Sequence, residues 1–320
     1  MSINSIIQNL IIRNTSMKYS FESASDTWLL QVAEKNNRSW RQQRRQLEIH
    51  VLPYWGKRPI SKIRRSDVHE LLDKLGGTVL PNRILALLKT IFNYACSRDW
   101  IEVSPAVGIS KPRREIPRCR VLEMDEIGRV FSASLIVGYP FGSFVQGLIL
   151  TGQRRSEVAA MTWNEVDLAI RVWRQSSENK SRRAHIVPLS PMMSRLLVCA
   201  PCRGNFVFTN DGITHVSAYS KGKRKIENIL PSIGGAIQDW RFHDLRRSVA
   251  THMVRLGVSE AVVKRMLNHS PGNVLTQTYI LHSYHPELQQ AYDKWELELA
   301  RVIDPDIQLG EIANGDINLD

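Results

Sequence analysis

The sequence predicts a mainly α-helical protein with a small β-sheet, an α+β chain of two domains. Three observations carry this reading. Apolar residues recur at helical spacing over most of the 320 residues, and β-type runs are confined to short stretches of the second half. Between the halves lies a Pro-, Gly- and Arg-rich interval without periodicity. A hydrophobic content of 43% can supply one large core or two ordinary ones.

After an N-terminal extension (1–20), helical spacing begins with Phe21, Trp28, Leu29 and Val32. The arginine-rich RSWRQQRRQLEIH forms a second helix, and VLPYWGKRPI reads as a loop. Ser66 is placed to N-cap DVHELLDKL, and a further helix runs from about Pro81 to Tyr94 with Ile84, Leu85, Leu88 and Phe92 on one face. These helices make an all-α domain over 21–110. The segment SPAVGISKPRREIPRCR follows as an exposed linker, centred on 111–120.

In the second domain, 121–302, EMDEIGRVFSAS and FVQGLILTG read as helices, RVWRQ and HIVPLS as short strands, PMMSRLLVCA as a helix and NFVFT as another strand. Helices then continue to about Val302. The remainder, 303–320, is acidic and turn-rich without a repeating apolar face, so a flexible tail is expected.

The net charge is +12, and about +11 of it falls in the first 120 residues, which favours a polyanionic partner gripped by the first domain. The four cysteines lack the paired spacing of a disulfide scaffold or a four-ligand zinc site. The lone CAPC of Cys199 and Cys202 is read as helix-end packing. No apolar run approaches the roughly twenty residues of a membrane span, and the N-terminus is too polar for a secretory signal, so a cytoplasmic protein is expected.

Three segments carry candidate chemistry. In GLILTGQRRSEVAAMTW an apolar helix ends at Thr151 and Gly152, a new one begins around Ser156, and Arg154 sits at the junction. Unpaired backbone donors and a guanidinium fork there can both address an anion, although an arginine so placed can equally pair with Glu157. In RFHDLRRSVATHM, His243 and Arg246 stand three apart and so share a helix face, while Arg246 or Arg247 could instead pair with a carboxylate. In RMLNHSPGNVLTQTYILHSY a helix ends near His269, a turn follows, and a short helix presents Tyr279, with Tyr284 as its competitor.

Taken in order, Arg154 within TGQRRSE, His243 and Arg246 within HDLRR, His269 within LNH and Tyr279 downstream resemble the tyrosine recombinase, or phage integrase, family. The resemblance extends over about 20–295. It implies a helical core-binding domain followed by a tyrosine-recombinase catalytic domain. It also implies a lysine on a β-turn eight residues before the proline of a VPL segment; Lys180 stands at that interval from Pro188, with Arg182 and Arg183 as alternative cations. Two departures stand out. Only about twenty residues precede the core-binding helices, where many prophage integrases carry a further domain for arm sites, and the interval from His269 to Tyr279 is one residue longer than the common pattern.

By this resemblance, Tyr279 is the nucleophile that forms a 3′-phosphotyrosyl bond. Arg154 and Arg246 hold the phosphate, His243 accepts a proton, Lys180 donates one, and His269 donates a hydrogen bond. No cofactor is implied. The expected partner is double-stranded DNA at specific recombination sites, bound by a homotetramer on two duplexes, with accessory DNA-bending proteins possible and no membrane. Arg41, Arg44, Arg45, Arg113 and Arg114 would contact DNA from the first domain and linker. The alternatives are a type IB topoisomerase-like relaxation of supercoils and a catalytically silent DNA-binding relative.

Overall fold

The computed structural model describes residues 19–176, 184–268 and 284–303. Most of the N-terminal extension, the acidic tail, Lys180, Arg182, Arg183, His269 and Tyr279 lie outside the described residues. The chain divides into two compact units, Met1–Arg118 and Cys119–Asp320.

In the first unit, Ser20 Oγ accepts from the Ser23 amide and starts α1 (Phe21–Trp28). The helix runs on through a π-helical turn (Leu29–Ala33) into a last turn, α2 (Glu34–Asn36). The arginine-rich segment is α3 (Trp40–His50). The stretch read as a loop instead contains α4 (Leu52–Trp55) and a 3-10 turn (Ile60–Lys62). Pro53 fits the first turn of α4 because proline's fixed φ and missing N–H are tolerated there. Next comes α5 (Arg65–Lys74). Its N-cap is Arg64 in place of the expected Ser66, because the Asp67 carboxylate accepts from the Arg64 amide at 2.7 Å.

The last helix of this unit, α6 (Leu80–Ser97), buries Ile84, Leu85, Leu88 and Phe92 against Phe21, Trp28 and Trp55. Its buried Asn82 holds the following segment, donating to Arg113 O at 2.7 Å and accepting from Arg113 N at 3.1 Å. The interval read as a linker is therefore exposed yet pinned to α6 at Arg113.

The second unit opens with α7 (Met124–Val137) and α8 (Phe141–Thr151), packed side by side, followed by α9 (Arg155–Ala159). A three-stranded antiparallel sheet, β1 (Val166–Asp167), β2 (Val172–Gln175) and β3 (His185–Pro188), pairs in that order. Trp173 opposes Val187 and Gln175 opposes His185. The helices α10 (Pro191–Cys199), α11 (Tyr219–Ile229), α12 (Phe242–Arg255), α13 (Glu260–Met266) and α14 (His285–Ala300) complete the unit.

NFVFT is not a strand. Phe206 makes one isolated bridge to Thr162, and Val207 donates to Met161 O, so the segment lacks a ladder to extend. The core joins Phe131, Phe144, Leu148, Trp173, Val187, Phe208, Phe242 and Trp295. Trp295 Nε1 donates to Ile149 O at 2.9 Å and the Tyr292 hydroxyl to Thr151 O at 3.0 Å, which fixes α14 along α8. Among the described residues no helix is long and apolar enough to cross a membrane.

Candidate active site

The turn between α8 and α9 is built on Gly152, which has φ +63°. A Cβ there would also meet Val249 Cγ1 at 3.0 Å, so both conformation and packing call for glycine. The reversal leaves Arg154 as N-cap of α9. Glu157, three residues on, accepts from the Arg154 amide at 3.0 Å and from its guanidinium at 2.8 Å. The pairing with Glu157 is thus real, and it fixes one edge of the guanidinium while its other terminal nitrogen reaches Asn268 O at 3.4 Å.

A parallel construction starts α12. The buried Asp244 carboxylate accepts from the Arg241 amide at 2.9 Å and from the Arg247 guanidinium at 2.6 Å. The arginine paired with a carboxylate in this motif is therefore Arg247. Arg246 turns inward, 5% exposed, and donates to Gly152 O at 2.9 Å and to Leu267 O. Desolvation, then the neighbouring Arg154 cation, lower its pKa to about 10, so it stays protonated at neutral pH.

The two arginines meet at one place, the C-terminal end of α13. Helix ends leave carbonyls without intrahelical partners, and their partial negative charge attracts cations. Met266 O accepts from Gln153 Nε2 at 2.7 Å and lies 3.1 Å from His185 Nε2; Leu267 O accepts from Arg246 and Asn268 O from Arg154. His243 is exposed on α12 and shares with Arg154 a cavity of about 480 Å³, whose wall also includes Arg155, Tyr219, Lys223 and Arg241. Arg155 lies over the Tyr219 ring at 4.2 Å and Lys223 over the Trp240 ring at 4.3 Å. The cavity is thus lined with cations held in place by aromatic faces, suited to a polyanion.

Arg154, His243 and Arg246 are therefore brought into one neighbourhood, while Lys180, His269 and Tyr279 lie outside the described residues. Two described tyrosines lie on the segment that follows Tyr279. Tyr292 is fully buried; desolvation pushes its phenol pKa up, and its hydroxyl is engaged by Thr151 and Gln153. Tyr284, in the left-handed region with φ +56°, caps α14 and has the Arg265 guanidinium over its ring at 4.5 Å. Of the first-domain arginines, Arg41 and Arg44 lie over the Trp40 ring at 5.0 and 5.6 Å, Arg45 is exposed on the same helix, and Arg113 and Arg114 are exposed beyond α6.

Sequence reasoning missed Gln153 and His185. Gln153 stands beside Arg154 in the same motif and could have been weighed with it. His185 was read only as strand.

Comparison with known proteins follows the same division of the chain. The phage integrase family model matches residues 120–285, and the phage integrase central domain model matches 21–111. The integrase of Salmonella phage P22 is 28% identical over 192 residues, covering 57% of this chain and 49% of that protein. A tyrosine recombinase of Thermosipho africanus is 28% identical over 258 residues, covering 76% of this chain and 88% of its own length. The chain spans half or less of the phage and prophage integrases it matches. A lambda integrase, crystallised as a tetramer bound to a Holliday junction, shares the fold with a TM-score of 0.65 at 16% identity, over 80% of this chain and 79% of that one. One family model runs through more than half of the sequence and a companion model through its first helical unit: the chain belongs to the phage integrase family of tyrosine recombinases.

Proposed function

We propose that this chain is a site-specific DNA recombinase that cuts and rejoins double-stranded DNA through a 3′-phosphotyrosyl intermediate, integrating or excising a mobile element. The observation that carries the reading is the convergence of Arg154 and Arg246 on consecutive carbonyls, with His243 on the cavity that Arg154 lines. Arg246 uses two of a guanidinium's five N–H donors on carbonyls, and the remainder are left for phosphate oxygens.

A free phenol titrates near 10 and attacks a phosphodiester poorly at neutral pH, so Tyr279 needs a proton acceptor and positive charge around the phosphate. In this reading its oxygen bonds to phosphorus and its proton passes to His243. The bond from phosphorus to the 5′-oxygen breaks, and that oxygen takes a proton from Lys180. Arg154 and Arg246 stabilise the charge on the non-bridging oxygens, and His269 donates a further hydrogen bond. One phosphoester replaces another, so a second strand's 5′-hydroxyl can reverse the step without an external energy source.

Positive charge at the first unit and its following segment supports a phosphate-gripping role for Arg41, Arg44, Arg45, Arg113 and Arg114. The lambda integrase tetramer supports assembly as a homotetramer on two duplexes, where accessory DNA-bending proteins would act. Trapping on a nicked suicide substrate tests the assignment. Wild type should leave a covalent protein–DNA adduct on a denaturing gel, in chelator as well, Tyr284→Phe should keep it and Tyr279→Phe should lose it. An adduct that survives Tyr279→Phe would overturn the nucleophile. DNA binding without any adduct would leave a silent binding relative, and relaxation without strand exchange a topoisomerase-like activity.

A further inference from the structure

Outside the three motif segments, one side chain reaches the same helix end as Arg154 and Arg246, at the carbonyl next to theirs. Among the described residues, Met266 O, Leu267 O and Asn268 O are addressed by Gln153, His185, Arg246 and Arg154. Gln153 and Arg154 come from the turn after α8, and Arg246 comes from α12. His185 alone of the four comes from the sheet.

His185 opposes Gln175 at the end of the described β2–β3 pairing. Gln175 is buried, and neither polar atom of its amide has a hydrogen-bond partner among the described residues. At that register the hairpin is therefore anchored by the histidine side chain. The imidazole is neutral at physiological pH: desolvation chiefly, helped by Arg246 and Arg154, lowers its pKa to about 4. Since a carbonyl only accepts, the Nε2 atom 3.1 Å from Met266 O carries the proton. A neutral donor suits this place, where a further cation would be repelled by the two arginines.

We propose, resting on the recombinase reading above, that His185 is a positioning residue: its hydrogen bond to Met266 O ties the strand that follows Lys180 in sequence to the helix end from which the chain continues toward His269 and Tyr279. The hairpin and the departure point of the nucleophile-bearing segment are thereby referenced to the same helix end: His185 shares Met266 O with Gln153, and the next two carbonyls hold Arg246 and Arg154. His185 touches no reacting atom. It acts by keeping the parts of the site in register, where a small misplacement lowers the rate of chemistry without weakening DNA binding.

The test uses the full chain with His185→Leu, which fills space without a donor, and His185→Gln, which restores an N–H donor. Three readouts are taken: DNA affinity by gel shift, the single-turnover rate of adduct formation on saturating suicide substrate, and amide hydrogen exchange of the peptide spanning residues 260–268. His185→Leu should slow adduct formation at least about 10-fold with affinity within about twofold, and should raise exchange at that helix end. His185→Gln should recover a large part of both. Wild-type rate and exchange in His185→Leu, or equal defects in the two variants, would overturn the role. If wild type binds DNA without forming adduct, the recombinase reading fails, and the exchange comparison still decides whether the tether exists.

Discussion

In the helical unit that ends at Arg118, the buried polar residues among those described are Ser25, Asn82 and Ser104, none of them charged. In the unit that follows, Glu157, Asp244, Arg246 and His252 are buried as well. Burying an ion costs several kcal/mol unless it is paired and hydrogen-bonded, so a stable core alone gives no reason to bury four ionisable groups. Each of them is satisfied: Glu157 by Arg154, Asp244 by Arg247, Arg246 by two carbonyls, and His252 by Leu122 O at 2.8 Å. The first unit keeps its arginines outside, two of them spread over the Trp40 ring. The difference teaches where each unit puts its charge to use. One spreads its cations along its surface, where the proposed function has them meet a polyanion, and the other holds fixed cations at a single point.

That contrast can be broken at three places. The largest effect is expected at Trp28, which is 1% exposed in the aromatic core of the first unit. Trp28→Ala should lower unfolding free energy by about 4 kcal/mol in denaturant titration, because a large buried side chain leaves a cavity. A loss below about 1 kcal/mol would mean that this core does not carry the unit. Next comes Arg246→Lys in the second unit. An ammonium cannot span Gly152 O and Leu267 O while also serving a phosphate, so the single-turnover cleavage rate should fall about 100-fold. A lysine variant within a few-fold of wild type would show that a point charge suffices there. The smallest effect belongs to Arg41→Ala: folding stability should change by less than about 0.5 kcal/mol, while DNA affinity drops a few-fold and the salt slope lessens by about one. An unchanged salt slope would remove Arg41 from the DNA-facing set.

Much of this organisation was legible because it is local. The period of apolar residues located α1, α6, α7 and α8, and the β-branched and aromatic runs located β2 and β3. Errors arose where short-range signals compete. Pro53 looked like a loop residue yet sits in the first turn of α4, and Ser66 was displaced as N-cap by the reach of Asp67 to Arg64. NFVFT has strand composition, but a strand also needs a neighbour of matching length, which Met161 and Thr162 do not provide.

The sequence by itself determined which side chains are available for phosphate chemistry, their order along the chain and the concentration of positive charge in its first third. Only the tertiary structure decided that Gln153, Arg154, His185 and Arg246 share the end of α13. Those partners are separated by as many as 114 residues, and what they meet is backbone carbonyl, a group every residue carries. An acceptor common to all positions leaves no trace in composition or spacing, so the convergence emerges only once the helices have packed.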